Sequence, residues 1–265
     1  MAADPREQDQ TLAALVRRLR AAGCVFAEEE ARLLLDEAVT PRALEGLVRR
    51  RVAGEPLEVV VGWAEFCGLR MSLDPGVFVP RQRTRLLVEQ AASLIGPGAL
   101  VVDLCCGSAA IAAVLAERMA GLELYAADID PAAVACARRN LVDRGEVLSG
   151  DLYAALPVHL RGRVDVLVCN APYVPTTAIA LMPPEARLHE PSVALDGGSD
   201  GLAVLRRVAA EAAVWLAPGG HVLVEIGEQQ AGQALRFFGR HGLSARVVQS
   251  EELAAHAVIA TPSAC

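Results

Sequence analysis

Residues 168–175 read VCNAPYVP, and the middle four carry more chemical capacity than the end of an apolar run needs. Asn170 offers a side-chain oxygen that accepts hydrogen bonds. Pro172 biases the residue before it, Ala171, towards extended backbone, which stiffens the Ala171 carbonyl. Tyr173 adds a flat aromatic face. These features suit a planar –NH2 group, whose delocalised lone pair is a poor nucleophile. The Asn170 oxygen and the Ala171 carbonyl would each take one N–H and draw the nitrogen towards tetrahedral geometry. Such a site works by orientation and electrostatics. Asn170, Ala171, Pro172 and Tyr173 are therefore the candidate catalytic residues. The plain alternative is a proline turn with a packed tyrosine.

Three other apolar runs end on informative residues. DLCCGSAA places Asp103 at a strand end and Gly107 in the turn that follows, where a backbone without Cβ lets a ligand approach closely. AADID ends on Asp128, at the position where a carboxylate accepts from ribose hydroxyls. Asp130 precedes Pro131 and reads as a helix cap. SGDLY puts Asp151 where it would meet an adenine amine, with Leu152 against the ring. No complete GxGxxG is present, so the pyrophosphate cradle of a dinucleotide site is missing. A sulfonium cofactor has no phosphate and tolerates a looser turn. The pattern favours S-adenosylmethionine (SAM) over a nicotinamide dinucleotide.

Positioning these strand ends requires a parallel sheet. Apolar runs at 99–104, 123–128, 163–170 and 221–227, with a short one at 145–148, alternate with helical patterns at 108–120, 131–143, 199–216 and 228–240. That alternation predicts an α/β fold with helices on both faces of the sheet. SARVVQS and HAVIATP follow with no helix between them, which predicts an antiparallel pair at the edge. The first 56 residues read as helices only. Leu12, Leu15, Val16 and Leu19 share one face, Gly23 ends that helix, and Pro41 opens a later one. The expected organisation is a helical domain at 1–56, an extended hairpin linker at 57–79, and a cofactor-binding domain at 80–265.

Composition excludes several classes. The chain has 265 residues, 53% of them hydrophobic and 22% charged, enough for a large core and against disorder. No apolar run reaches the ~18 residues of a membrane span, and MAADPREQDQ is unlike a secretion signal. A cytoplasmic protein with no membrane partner is expected. A net charge of −7 disfavours broad attraction to nucleic acid. Every basic residue apart from histidine is Arg. The seven cysteines form no CxxC and the five histidines show no ligand spacing, so no metal site is expected.

NAPYVP resembles the [N/D]PPY motif of SAM-dependent amino-methyltransferases. RRVAGEPLEVVVGWAEFCGLRMSLDPGVFVPR, DLCCGSAAIA and HEPSVALDGGSDGLAVLRRV with LAPGGHVLVEIGEQQ are similar, in order, to segments of the HemK/PrmC family. Those enzymes methylate the glutamine amide of the GGQ motif in peptide-chain release factors. The resemblance spans roughly residues 10–260. It implies a class I SAM-dependent methyltransferase fold, a Rossmann-like seven-stranded sheet, with a small helical N-terminal domain and a hairpin linker. It also implies a protein substrate, with a release factor as the candidate. By motif position Asn170 and the Ala171–Pro172 backbone would hold the amide, Tyr173 would stack near it, Asp128 would take the ribose and Gly107 would line the SAM turn. Pro80 and Arg81 would shape the pocket entrance. Glu190, in the loop after the motif, is either part of that entrance or a surface carboxylate.

The chain departs from the family pattern at four places. Ala171 stands where proline is usual. Ala109 stands where glycine is usual, which would tighten the cofactor pocket. In PRQRTR, Arg83 and Arg85 replace acidic residues, which implies either a changed substrate entrance or an exposed helix start. The stretch NAPYVPTTAIALMPPEARLHEP is similar to an actinobacterial-type offshoot of unknown substrate. A nucleic-acid base, a small metabolite amine, or SAM binding without catalysis remain alternatives on the residues alone.

Overall fold

The computed structural model describes residues 5–263. The outermost bounds expected from the sequence, 1 and 265, lie outside the described residues. Helices α1 (Pro5–Ala21), α2 (Ala27–Glu37) and α3 (Pro41–Val52) form the N-terminal layer. Leu15 and Leu19 of the expected apolar face are buried against Ala31, Leu34 and Val48, with Leu12 and Val16 at the edge of that cluster. Thr40 caps α3, its hydroxyl accepting from the Ala43 N–H at 3.1 Å, and Pro41 follows where a missing N–H costs nothing.

The segment expected to be extended from residue 57 begins instead with a five-residue helix, α4 (Leu57–Val61). Val60 packs into the helical core and Val59 into a cluster with Leu73 and Val77, so neighbouring valines face two different cores. Successive residues on a helix are turned by about 100°, enough to send one valine to each core. Gly62, at φ 82°, ends it. The hairpin follows: β1 (Trp63–Phe66) and β2 (Leu69–Ser72) pair antiparallel across Cys67 and Gly68, both with positive φ, as tight hairpins require.

α5 (Arg85–Leu94) leads into the sheet. β3 (Leu100–Leu104), α6 (Ala110–Arg118), β4 (Glu123–Asp128), α7 (Pro131–Asn140), β5 (Glu146–Ser149) and β6 (Val164–Cys169) follow. Two short helices, α8 (Pro184–His189) and α9 (Ser192–Leu195), precede α10 (Ala203–Trp215), β7 (Leu216–Ile226), α11 (Ala231–Arg240), β8 (Leu243–Ser250) and β9 (Ala255–Pro262). The strand order is β5-β4-β3-β6-β7-β9-β8, parallel from β5 to β7 and antiparallel for the last two strands. Alternate residues face opposite layers: Val101, Val166 and Leu223 pack under α5, α6 and α7, while Val102, Leu167 and Val222 pack under α10 and α11. The chain moves outward from β3 to β5, then returns to place β6 beside β3. The carboxyl ends of β3 and β6 flank this switch point, where open α/β sheets bind ligands.

Asn140, at the end of α7, ties the hairpin to the sheet. Its side chain accepts from the Ser72 N–H at 2.9 Å and donates to the Ser72 carbonyl at 3.0 Å and the Ser108 carbonyl at 2.9 Å. No described helix is long and apolar enough to cross a membrane.

Candidate active site

One cavity gathers the carboxyl ends of β3, β4 and β6 and the turn after β5. Gly107 sits at its wall with φ 56° and donates its N–H to Asp128 Oδ2 at 2.8 Å. Asp128 Oδ1 accepts from the Asp130 N–H at 2.9 Å. Both oxygens are thus pinned by backbone donors, and each keeps a lone pair for the cavity that Asp128 lines. Burial pushes this carboxyl upward. Asp130 also lines the cavity, and its side chain caps α7 through the Ala132 N–H at 2.8 Å.

Asp103 lines the same cavity at the end of β3 and is 1% exposed. Its Oδ2 accepts from the Ala112 N–H at 3.2 Å, while its Oδ1 is buried without a partner. Burial raises the carboxyl to about 7. Asp151 is half-buried on the cavity wall, where its Oδ2 accepts from Arg207 at 2.7 Å. Leu152 lines the wall with φ 48°. Cys105, two residues after Asp103, holds φ 56°, so with Leu152 two cavity-lining residues that carry side chains adopt left-handed backbone, a strain that recurs at ligand sites. Ala109 is fully buried in the core under α5 and α6, so it packs behind the cavity rather than tightening it.

The acceptor side is built around a carboxylate. Glu225, on β7 and 3% exposed, accepts from Thr84 Oγ1 at 2.7 Å, from the Tyr173 hydroxyl at 2.9 Å and from Arg83 Nε at 3.1 Å. Thr84 Oγ1 in turn accepts from Asn170 Nδ2 at 3.2 Å. The Asn170 amide nitrogen is thereby committed to protein and its Oδ1 remains for the cavity that Asn170 lines. Ala171 is buried, and no turn or loop hydrogen bond among the described residues uses its carbonyl. Pro172 and Tyr173 complete the wall. The Arg83 guanidinium lies 5.4 Å from the Tyr173 ring centroid, so one face of that ring is already covered. Burial and the adjacent Glu225 raise the Tyr173 phenol, which stays protonated.

The motif is clamped from outside the strand. Gln230 Nε2 donates to the Tyr173 carbonyl at 2.9 Å while its Oε1 accepts from the Gly227 N–H at 2.8 Å. The DGGSDG loop runs backbone against backbone past the motif. A Cβ at Gly201 would lie 2.2 Å from the Tyr173 oxygen, and one at Gly197 would lie 2.7 Å from the Pro172 oxygen. That close approach also explains why α10 starts at Ala203 rather than at 199.

Pro80 and Arg81 line the mouth, and Arg83 does so too. Arg85 does not: it opens α5 and pairs with Glu89 at 3.4 Å in the open. Glu190 is no surface carboxylate. Its side chain is 1% exposed and pairs with Arg81 at 2.5 Å, behind the mouth rather than on it. Thr84, Glu225 and Gln230 were not singled out from the sequence. Glu225 had a signal, a carboxylate inside the apolar run HVLVEIG; Thr84 and Gln230 had none, because their partners are 86 and 57 residues away.

Comparison with known proteins matches this geometry. Residues 68–183 match the family described as Methyltransferase small domain. The release factor glutamine methyltransferase of Moorella thermoacetica is 38% identical over 257 residues, covering 87% of this chain and 89% of its own. The 4-amino-L-phenylalanine/4-methylamino-L-phenylalanine methyltransferase of Streptomyces pristinaespiralis is 37% identical over 234 residues, covering 85% and 79%. A solved methyltransferase from Pyrococcus furiosus shares the fold, with TM-score 0.57 at 18% identity over 75% of this chain and 91% of its own. A relative similar over nearly the full length, together with a cavity at the switch point of a seven-stranded sheet, identifies the class: the chain is a SAM-dependent methyltransferase and belongs to the release factor glutamine methyltransferase family, HemK/PrmC.

Proposed function

We propose that this pocket methylates the side-chain amide nitrogen of a protein glutamine, with the GGQ glutamine of a peptide-chain release factor as the acceptor. The observation that carries it is the orientation of Asn170, whose amide nitrogen is spent on Thr84 and whose oxygen is left for an acceptor N–H. The Ala171 carbonyl takes the second N–H, and the two acceptors turn the nitrogen lone pair towards the methyl donor. Tyr173 is not the base, since its hydroxyl is already given to Glu225.

The cofactor side fits SAM on one structural ground above others. Asp103 keeps a buried carboxylate oxygen without a partner on the cavity wall, the environment an α-ammonium group would satisfy. Asp128 would take the ribose hydroxyls and Leu152 the adenine face. When bound, SAM supplies an electrophilic methyl group on a sulfonium sulfur. The helical layer α1–α3 would grip the protein partner.

Arg83 favours a second reading. Its Nη atoms make no hydrogen bond to protein among the described residues, and it stands at the mouth. A free amino acid bearing an aromatic amine would pair its carboxylate there, and the Streptomyces pristinaespiralis relative is named for such an acceptor. Transfer of radiolabelled methyl from SAM separates the readings. Release factors with the GGQ glutamine intact or replaced, and 4-amino-L-phenylalanine, are offered in turn. Label that disappears with the glutamine supports the protein reading. Label only on the amino acid replaces it with the second. Label on neither, with SAM binding intact, overturns both.

A further inference from the structure

We infer that Glu225 and Thr84 are positioning residues that fix which end of the Asn170 amide faces the acceptor, an inference that rests on the role proposed for Asn170. The direction follows from what each group is able to donate. A carboxylate only accepts, so the 2.7 Å contact between Glu225 Oε2 and Thr84 Oγ1 requires the threonine proton to lie between them. With its single proton spent, Thr84 has only lone pairs to offer Asn170, and the 3.2 Å contact must be made by the amide nitrogen. The Asn170 oxygen is therefore held towards the acceptor. Thr84 is 4% exposed and Glu225 3%, so water does not substitute for either partner.

The relay spans three distant parts of the chain: Thr84 just before α5, Asn170 at the end of β6 and Glu225 on β7. An amide has nearly the same shape in both orientations, and packing alone distinguishes them poorly. A flipped Asn170 would aim N–H at N–H and lose the acceptor. The carboxylate at the far end of the relay removes that ambiguity. Glu225→Gln restores it, because a glutamine amide both donates and accepts. The threonine proton is then free to point at Asn170, and the flipped form becomes available.

Glu225 also holds Tyr173 and Arg83, so Thr84 isolates the relay. The experiment measures methyl transfer to whichever acceptor the radiolabel assay identifies, and SAM affinity by calorimetry, for Thr84→Ser, Thr84→Val, Glu225→Gln, the Thr84→Val/Glu225→Gln double variant and Asn170→Ala. Thr84→Ser keeps the hydroxyl and is expected near the unmodified rate. Thr84→Val and Glu225→Gln are each expected to lower kcat roughly 10- to 100-fold, the effect of about one misdirected hydrogen bond, with SAM Kd within about threefold. The double variant is expected to be far less impaired than the product of the two single losses, because both act through one amide. Thr84→Val at the unmodified rate, Thr84→Ser as damaged as Thr84→Val, or fully multiplicative losses would overturn the relay. Asn170→Ala reports separately: unchanged turnover there would remove the role of Asn170 itself, whatever the relay variants do.

Discussion

Asp103 is the residue whose ionisation reports on the cofactor. Its carboxyl is raised to about 7 because the buried charge has one backbone N–H and no counter-charge. The unfolded chain ionises it near the ordinary value of about 3.9. Between those values the folded state binds more protons, so this group's contribution to stability falls as pH rises. An ammonium group placed against the free oxygen reverses the preference and favours the ionised form. SAM binding at pH 6 is therefore expected to release a proton, and affinity to rise from pH 6 to 7. Calorimetry in buffers of different ionisation enthalpy reads that proton directly. Asp103→Asn should abolish the release, and a SAM affinity flat across this range would place the ammonium group elsewhere.

At the scale of elements, the motif is held by a loop that has no room for side chains. Gly201, at φ 74°, allows the Tyr173 carbonyl to approach where a Cβ would stand at 2.2 Å, and Gln230 then bonds the same carbonyl. Gly201→Ala must move one backbone or the other and adopt left-handed backbone besides. It is expected to cost about 2 kcal/mol or more in urea unfolding and to reduce methyl transfer with it. Gly96→Ala is the comparison, since a Cβ there meets nothing within 4 Å and its φ is not left-handed. Equal stability for the two alanine variants would show that the loop yields freely.

The whole molecule is joined at Arg51. This α3 side chain reaches Glu30 of α2 at 2.6 and 3.1 Å, the Glu55 carbonyl at 3.0 Å, and Glu185 of α8 at 3.2 Å. Arg51 and Glu30 are 10% and 9% exposed as side chains, so solvent screens their contact little. α8 lies in the segment that carries Glu190, which Arg81 at the pocket mouth holds in turn. Arg51→Met leaves Glu30 buried without its partner and is expected to destabilise the protein by about 3 kcal/mol. SAM affinity, expected to be set by Asp103 and Asp128 at the ends of β3 and β4, should stay within about threefold. Unfolding at the unmodified urea midpoint would show that the junction contributes nothing.

Periodicity and strand-end residues together determined the sheet, its helices, the antiparallel tail and the motif at 170–173. These patterns are local: burial on alternate faces and turn chemistry are written within a few residues of each other. The same locality explains the misreadings. The five residues LEVVV are too few to show a helical period, so their β-branched pattern reads as extended. Glu190 reads either as part of the pocket entrance or as a surface carboxylate, because its partner Arg81 is 109 residues away. Residue types showed that an amide, a stiff carbonyl and an aromatic ring meet at one strand end. Only the tertiary structure decided which way the amide points, because that direction is set by a proton shared between Thr84 and Glu225, 141 residues apart.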